Sequence, residues 1–219
     1  MKPKPSRPDH AERRRPRQSR SNQTARALRE AFVQLLVERG YAAITVREIT
    51  GVAGTALGSF YDYFAGKEDL ARVSLHLRSK MLVQTLRGVT TRHRGESLVD
   101  MASAIVDALL AMHREHPEEW AAHYLLERRF SGLDAYRKMY ARFVDAWTEA
   151  ITATRDWPVG QPARDAAGVC QALLYGLVTH AYLTRSNAPS RPDANILRRQ
   201  VITAIAAYLQ VARDEAARH

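Results

Sequence analysis

The sequence has little cysteine and no long apolar run: Cys170 is the only cysteine among 219 residues. One cysteine cannot form an intramolecular disulfide, and it offers no thiolate cluster to a metal. No run of eighteen apolar residues occurs, and the amino terminus is rich in Arg and Pro, so neither a membrane-spanning helix nor a secretory signal is predicted. These absences predict a soluble cytoplasmic protein without stable membrane association. Cys170 falls on an apolar helix face, so we expect a buried thiol rather than a redox sensor.

Motifs of the common enzyme classes are also missing. The sequence contains no Gly-rich phosphate loop and no recognisable pairing of a nucleophile with a base. His113, His116, Glu119 and His123 are close enough in sequence to suggest a metal site, but Pro117 interrupts their helical register. We therefore predict no enzymatic activity, no metal site and no cofactor, with the histidines in the core or in solvent.

The positive charge is unevenly distributed. The formal net charge is +10, yet residues 1–20 alone carry +6 and residues 71–94 carry another +6. Clustered cations favour a polyanionic partner, which is either nucleic acid or an anionic membrane surface. The arginines of residues 71–94 also fit the solvated face of a long helix.

The first 22 residues combine prolines and arginines with almost no apolar side chains. Such a segment cannot bury enough surface to offset the entropy of ordering it, so we predict a disordered basic arm over residues 1–22. A solubilising tail without a specific role is the alternative.

Short helices follow over residues 23–70. Apolar residues recur at helical spacing from Leu28 to Leu36, and Gly40 is placed to end that helix. Thr45 and Glu48 form a capping-box pattern that begins a second helix. A turn at Gly54 then leads to a third short helix over residues 56–61. A short helix, a Gly-containing turn and a second short helix are the pattern of a DNA-binding helix-turn-helix.

The residues themselves strengthen this interpretation. The segments GYAAITVREI and AGTALGSFYDYFAGKEDL resemble the DNA-binding domain of the tetracycline-repressor (TetR) family of bacterial regulators, over roughly residues 24–72. The resemblance implies that eight residues contact DNA through the backbone phosphates or the base edges. These are Thr45, Thr55, Leu57, Gly58, Ser59, Tyr61, Tyr63 and Lys67. Phe60 and Phe64 are predicted to lie in the core and hold the short helix in place.

Two departures from the family pattern affect the DNA contacts. Ala56 stands where many members have Ser or Thr, so the third helix must be capped by Thr55 or begin differently. No Arg or Lys occurs from residue 48 through residue 66, which disfavours bidentate recognition of guanine by this helix. We therefore hypothesise that arginines of the arm supply the phosphate contacts. These are Arg13, Arg14, Arg15, Arg17 and Arg20.

Residues 71–219 read as long amphipathic helices without convincing strand alternation, so the predicted fold class is all-α. The resemblance implies that this second domain is a helical bundle that encloses a ligand cavity and pairs two subunits through its last two long helices. Predicted ligand-binding residues are Trp120, Tyr124, Tyr136, Tyr140, Phe143, Trp147 and Tyr175. Predicted residues of the dimer interface are Gly168, Ala172, Gly176, Val201, Ile205 and Tyr208.

The combined prediction is a homodimeric, sequence-specific transcriptional regulator. The resemblance implies a repressor, since repression is the commoner mode in that family. The regulator would leave a double-stranded palindromic operator when a small apolar effector binds. The segment HPEEWAAHYLLERRFSG is similar to regulators that sense long-chain acyl groups, so the effector is predicted to be a fatty-acyl or an aromatic compound. The alternative function is a basic module that binds a membrane surface or a protein partner without recognising a DNA sequence.

Overall fold

The computed structural model describes residues 10–130, 132–184 and 193–218, with side chains from residue 21 onward. Within these ranges the secondary structure is helical, which confirms the all-α prediction. The helices are α1 (His10–Arg39), α2 (Val46–Val52), α3 (Leu57–Tyr61), α4 (Lys67–Arg92), α5 (Leu98–Glu115), α6 (Pro117–Phe130), α7 (Leu133–Thr152), α8 (Arg164–Thr184) and α9 (Ala194–Ala216), with a 3-10 turn at Tyr41–Ala43. The chain divides after Arg72 into two compact units; the predicted boundary followed residue 70.

In the amino-terminal unit, α1 ends and α2 begins at the capping residues that the sequence predicts. Gly40 ends α1 with a φ of 72°, a conformation that L side chains rarely adopt. Thr45 caps α2: its hydroxyl accepts from the Glu48 amide at 3.2 Å, and the Glu48 carboxylate accepts from the Thr45 amide at 2.8 Å. The predicted capping box is therefore present. Fully buried side chains from α1, α2 and α3 form the core, among them Phe32, Ile49 and Phe60.

The start of α1 corrects the predicted arm. Helix α1 begins at His10, so the backbone of residues 10–22 is helical rather than disordered, while residues 1–9 lie outside the described residues. Arg, Ala, Glu and Gln are good helix formers, and a helix already fixed at Leu28 continues into this segment without a new nucleation step, although Pro16 within it lacks the amide that would donate to the preceding turn. The prediction considered only the missing apolar burial and overlooked this continuation.

Of the two alternatives for the start of helix α3, the structure shows the one without a Thr55 cap. Ala56 is the N-cap residue and makes no capping hydrogen bond through its side chain. The Thr55 hydroxyl is buried and has no hydrogen-bond partner among the described residues. The short α3 is held instead by Phe60, which packs against Phe64 with 5.6 Å between the ring centroids.

The carboxyl-terminal unit is a bundle in which α8 packs against α6, α7 and α9, while α9 also packs against α5. Its core combines Ile105, Trp147, Val201 and further apolar side chains into one cluster. Ion pairs join distant segments at its edges: Arg198 of α9 pairs with Asp107 of α5. The guanidinium of Arg87 binds both carboxylate oxygens of Glu149, at 2.8 and 3.0 Å. This framework positions the cavity described below.

Candidate DNA-binding surface and ligand cavity

Helix α3 presents an apolar and aromatic outer face. Leu57 is 40% exposed, Tyr61 is 58% exposed and Gly58 is also exposed. Phe60 and Phe64 are buried, as predicted. This short helix therefore has one side committed to the core and one side open to a partner such as a DNA groove.

Two residues that were predicted to contact DNA, Thr45 and Thr55, have hydroxyl groups that are hydrogen-bonded within the chain or buried. The Thr45 hydroxyl donates to the Glu48 carboxylate at 2.7 Å and also accepts from the Glu48 amide. These hydrogen bonds lower the pKa of Glu48, so a negative charge stands at the start of α2 where a phosphate contact was predicted. The Thr55 hydroxyl is buried, as noted above. Ser59 and Tyr63 are half-buried.

The ammonium of Lys67, which was predicted to contact the DNA backbone, has partners within its own chain. Its ammonium donates to the carbonyl oxygens of Tyr41 at 3.0 Å and Ile44 at 2.6 Å. The same nitrogen lies 4.3 Å from the centroid of the Tyr41 ring. Three carbonyl and ring contacts of this kind fix a cation in place. Lys67 therefore holds the turn between α1 and α2.

Arg47 is a cation that the sequence reasoning missed. It is the second residue of α2, and it is exposed and forms no ion pair among the described residues. The neighbouring Arg39 is engaged, since its guanidinium lies 2.7 Å from the Glu48 carboxylate. Arg47 directly precedes the stretch of residues 48–66 that contains no Arg or Lys. The five arginines proposed for the arm belong to α1 by backbone, and their side chains lie outside the described part of the chain.

The carboxyl-terminal unit contains a cavity with about 100 Å³ of space for the centres of water-sized molecules. Six of the seven predicted ligand-binding aromatics line it: Trp120, Tyr124, Tyr136, Tyr140, Phe143 and Tyr175. Trp147 does not line it, because that ring is buried in the core between α7 and its neighbours. Cavities of this composition and size class accommodate small apolar molecules.

One cation lines this cavity, which aromatic periodicity could not reveal. Arg78 lies over the Trp120 ring at 3.8 Å from its centroid and pairs with Glu119 at 3.2 Å. Burial lowers the pKa of Arg78 to about 10, so the guanidinium remains charged at neutral pH. Its Nη1 is buried and has no hydrogen-bond partner among the described residues.

Two histidines also line the cavity, and both are held in defined tautomers. His113 Nδ1 lies 2.7 Å from the Leu109 carbonyl and must donate, so Nε2 accepts from the Tyr124 hydroxyl at 2.8 Å. His123 Nδ1 donates to the Glu119 carbonyl at 2.7 Å, and its Nε2 accepts from Ser74 at 3.1 Å. Burial lowers the pKa of each imidazole to about 4. Both are therefore neutral at physiological pH.

The suggested metal constellation does not assemble. No group of three or more potential metal ligands occurs among the described residues. His113 stacks on Trp120 with centroids 3.8 Å apart, and His116 is exposed. Cys170 is fully buried, and burial raises the pKa of its thiol to about 12. That environment disfavours the reactive thiolate.

Helix α8 has one face that its own bundle leaves open. Ala172 and Gly176 are exposed and Gly168 is half-buried; a methyl group added at either glycine would meet nothing within 4 Å beyond the adjoining backbone of its own helix. By length and composition α8 is apolar enough to cross a membrane, but half of that stretch is buried inside the unit. An exposed helix face with small residues is also suited to close packing against a second helix.

Two predicted interface residues are misplaced. Val201 and Ile205 are completely buried in the core of their own chain, so they cannot form a surface. The apolar stripe of an amphipathic helix faces its own bundle first, and the prediction selected that stripe. Tyr208 is half-buried against the core. Exposed apolar residues that the prediction missed are Val169, Ile196 and Val211.

Comparison with known proteins matches two family models to this chain. Residues 28–73 match the model for bacterial regulatory proteins of the tetR family. Residues 97–216, more than half of the chain, match the model for the tetracyclin repressor-like C-terminal domain. Together these matches include both units of the structure.

Individual relatives are more distant. The HTH-type transcriptional regulator YxbF of Bacillus subtilis, itself uncharacterized, is 26% identical over 140 residues, which cover 56% of this chain and 37% of the relative. The regulator FadR of Bacillus subtilis, solved in complex with stearoyl-CoA, has a TM-score of 0.64 at 17% identity, covering 82% of this chain and 96% of FadR. SmeT, the repressor of a multidrug efflux pump of Stenotrophomonas maltophilia, was solved with triclosan and has a TM-score of 0.64 at 18% identity, covering 86% and 90%. These structural likenesses show a shared fold.

Proposed function

The chain belongs to the TetR family of bacterial regulatory proteins, and from this premise we propose that it is a homodimeric repressor released from a palindromic operator by a small apolar ligand. The observation that carries the proposal is the division of α3 into a buried side at Phe60 and an open side at Leu57, Gly58 and Tyr61. A helix so braced can enter the major groove and touch base edges and methyl groups.

We propose that cations outside α3 contact the phosphates of the DNA backbone. Arg47 is exposed at the start of α2 and has no ion-pair partner in the part of the chain that the structure describes, and residues 1–20 carry a net charge of +6. Phosphate contacts supply affinity and position the reader, whereas base contacts supply the sequence preference. Lys67 acts indirectly in this proposal, because its ammonium fixes the turn that leads into α2.

Dimerisation is assigned to the open faces of α8 and α9. Ala172 and Gly176 would allow close approach of a second α8, and Val169, Ile196 and Val211 would add apolar area at the same interface. A two-fold dimer presents two readers to two half-sites about one helical turn apart, which explains why a palindrome is expected.

Ligand control is assigned to the aromatic cavity. FadR was solved with an acyl thioester and SmeT with triclosan, which supports a cavity that accepts apolar compounds in this fold. A ligand releases the operator only if the state competent to bind DNA holds that ligand less tightly than another state does.

The test of the proposed function is selection from a randomised double-stranded DNA library at near-physiological salt, using the full chain. Enrichment of a palindromic motif is expected. The variant Leu57→Glu should lose that enrichment, since it places an acid on the open side of α3. Val37→Glu is the matched control, because Val37 is similarly exposed but lies on α1. Binding without sequence preference, together with retention on anionic vesicles, would instead support the basic surface-binding module.

A further inference from the structure

The cavity of the carboxyl-terminal unit is lined mainly by apolar and aromatic side chains, with a few polar side chains among them. Three side chains that line it each have a buried atom without a hydrogen-bond partner among the described residues: Nη1 of Arg78, Oε1 of Glu127 and Oε1 of Gln171. Gln171 is only 4% exposed. An unsatisfied buried polar group destabilises a fold, so three of them around one apolar cavity indicate a binding site for a partly polar molecule.

The three atoms define complementary hydrogen-bonding roles. A guanidinium nitrogen only donates, whereas a glutamine oxygen only accepts and a carboxylate oxygen accepts. Tyr124 lies on the same cavity wall: burial raises the pKa of its hydroxyl, the Glu127 charge raises it further and the Arg78 charge lowers it. Because Arg78, Glu127 and Gln171 all line this one cavity, a single bound molecule can meet a donor and acceptors there.

The charges around the cavity largely cancel. The Arg78 guanidinium is already paired with the Glu119 carboxylate. His113 and His123 are neutral, as their low pKa values require. Burial also raises the pKa of Glu127, although a hydrogen bond with Tyr175 opposes this effect. A ligand with a full charge would have to be desolvated without a free counter-charge, which is costly.

Building on the proposed ligand-controlled regulator, we propose that the effector is an uncharged ring compound with one hydroxyl group, placed between Arg78 and the acceptor oxygens of Glu127 and Gln171. The hydroxyl oxygen accepts from Arg78 Nη1, and its proton is donated to one of the two acceptor oxygens. The rings of Trp120, Tyr124 and Phe143 contact the apolar body of the ligand.

A set of four probes with one ring system tests this inference by titration calorimetry on the full chain without DNA. The probes are 2-naphthol, naphthalene, 2-naphthoate and 2-naphthylmethylammonium. We expect 2-naphthol to bind about tenfold more tightly than naphthalene, since a hydrogen bond to a charged group is worth at least that factor. Equal binding of naphthalene, tighter binding of either ion, or no binding of any probe would overturn the inference.

Variants identify the polar atoms. Arg78→Lys keeps the charge but removes the planar fork, and it should weaken 2-naphthol binding while leaving naphthalene binding unchanged. Gln171→Met and Glu127→Gln are tested in the same way, and loss of the 2-naphthol preference in at least one of them is expected. Retention of the preference in all three variants would contradict the assignment.

Melting temperatures show whether Gln171 serves ligand binding or the stability of the fold. Gln171→Met removes an unpartnered buried oxygen, so its melting temperature should not fall. The control is Thr90→Val, which removes a buried hydroxyl that donates to the Leu86 carbonyl at 3.1 Å and lies away from the cavity. That variant should melt at a lower temperature and bind 2-naphthol unchanged. A Gln171→Met protein that melts earlier and keeps its 2-naphthol affinity would overturn the role of this residue.

Different results would contradict the inference about the ligand and the proposed function. A protein that selects a palindrome but binds none of the probes would contradict only the assigned ligand chemistry. A protein that binds 2-naphthol through Arg78 but enriches no DNA sequence would contradict only the proposed function.

Discussion

Lys67 directs its charge into the turn between α1 and α2, where two carbonyl oxygens and the Tyr41 ring contact it. We expect Lys67→Met to lower the free energy of unfolding by about 1–2 kcal/mol, because hydrogen bonds to a charged donor are lost. Chemical denaturation followed by circular dichroism measures this. The salt dependence of DNA affinity should keep its slope; a slope reduced by about one with unchanged stability would indicate a phosphate contact instead.

Arg47 is expected to behave in the opposite way. It is exposed and has no ion-pair partner among the described residues, so Arg47→Ala should leave the unfolding free energy nearly unchanged. If Arg47 binds a phosphate, the slope of log affinity against log salt falls by about one. Fluorescence anisotropy over a salt series measures this, and Arg26→Ala, whose guanidinium is exposed and pairs with Glu30 at 2.6 Å, is the control.

The two buried histidines make stability depend on pH. His113 and His123 have folded-state pKa values of about 4, against 6.5 for an unperturbed histidine. Between these pH values the unfolded chain binds protons that the folded chain does not, so stability falls as the pH decreases from about 6.5 to about 4. The loss is on the order of 3 kcal/mol for each histidine at the lower limit.

Denaturant unfolding at a series of pH values tests this, with His113→Asn and His123→Asn as comparisons. Asparagine keeps a donor near the Nδ1 position but does not titrate, so each variant should show a flatter pH profile than the parent. Carboxylates also titrate in this range, and the comparison between variant and parent removes their contribution. Profiles of identical steepness would contradict neutral buried histidines.

The helices themselves were largely predictable because their ends carry local signals. Thr45 with Glu48 and Gly40 specify a start and a stop through hydrogen bonds and backbone conformation that involve only neighbouring residues. The aromatic residues of the cavity were also predictable, because they follow helical spacing. Trp147 was an error since the same spacing cannot tell a core position from a cavity wall.

Features that depend on tertiary packing were not predictable from the pattern. The charge of Lys67 is satisfied by carbonyls more than twenty residues earlier in the chain. Arg78 lies on α4 and meets Glu119 and Trp120 on α6, a contact between segments about forty residues apart. Val201 and Ile205 were assigned to an interface because an apolar stripe does not reveal whether its partner belongs to the same chain.

Helix α8 supplies the test of dimerisation. Gly176→Glu places an acid on the open face, where a Cβ would meet nothing within 4 Å beyond the adjoining backbone of its own helix, so we expect a folded monomer that has lost affinity for DNA. Sedimentation velocity measures the oligomeric state, and circular dichroism confirms the helical content. Gln84→Glu, an exposed position on α4, adds the same charge and should remain dimeric. A dimer that survives Gly176→Glu would place the interface elsewhere.

The amino terminus is one of the two regions in which the positive charge of the molecule is concentrated: residues 1–20 carry a net charge of +6. Removing residues 1–20 should weaken DNA binding and flatten its salt dependence, because fewer counterions are released. The deletion also shortens α1, which begins at His10, so a second variant is needed to distinguish the effect of lost charge from the effect of a shorter helix. Replacing Arg13, Arg14, Arg15, Arg17 and Arg20 together with Gln keeps good helix formers in place and removes five charges. If these arginines bind phosphates, the variant loses most of the affinity and slope that the deletion loses, since the deletion also removes Lys2, Lys4 and Arg7; if it keeps the parent slope while the deletion loses affinity, the helical extension of α1 matters and the charge of these five arginines does not.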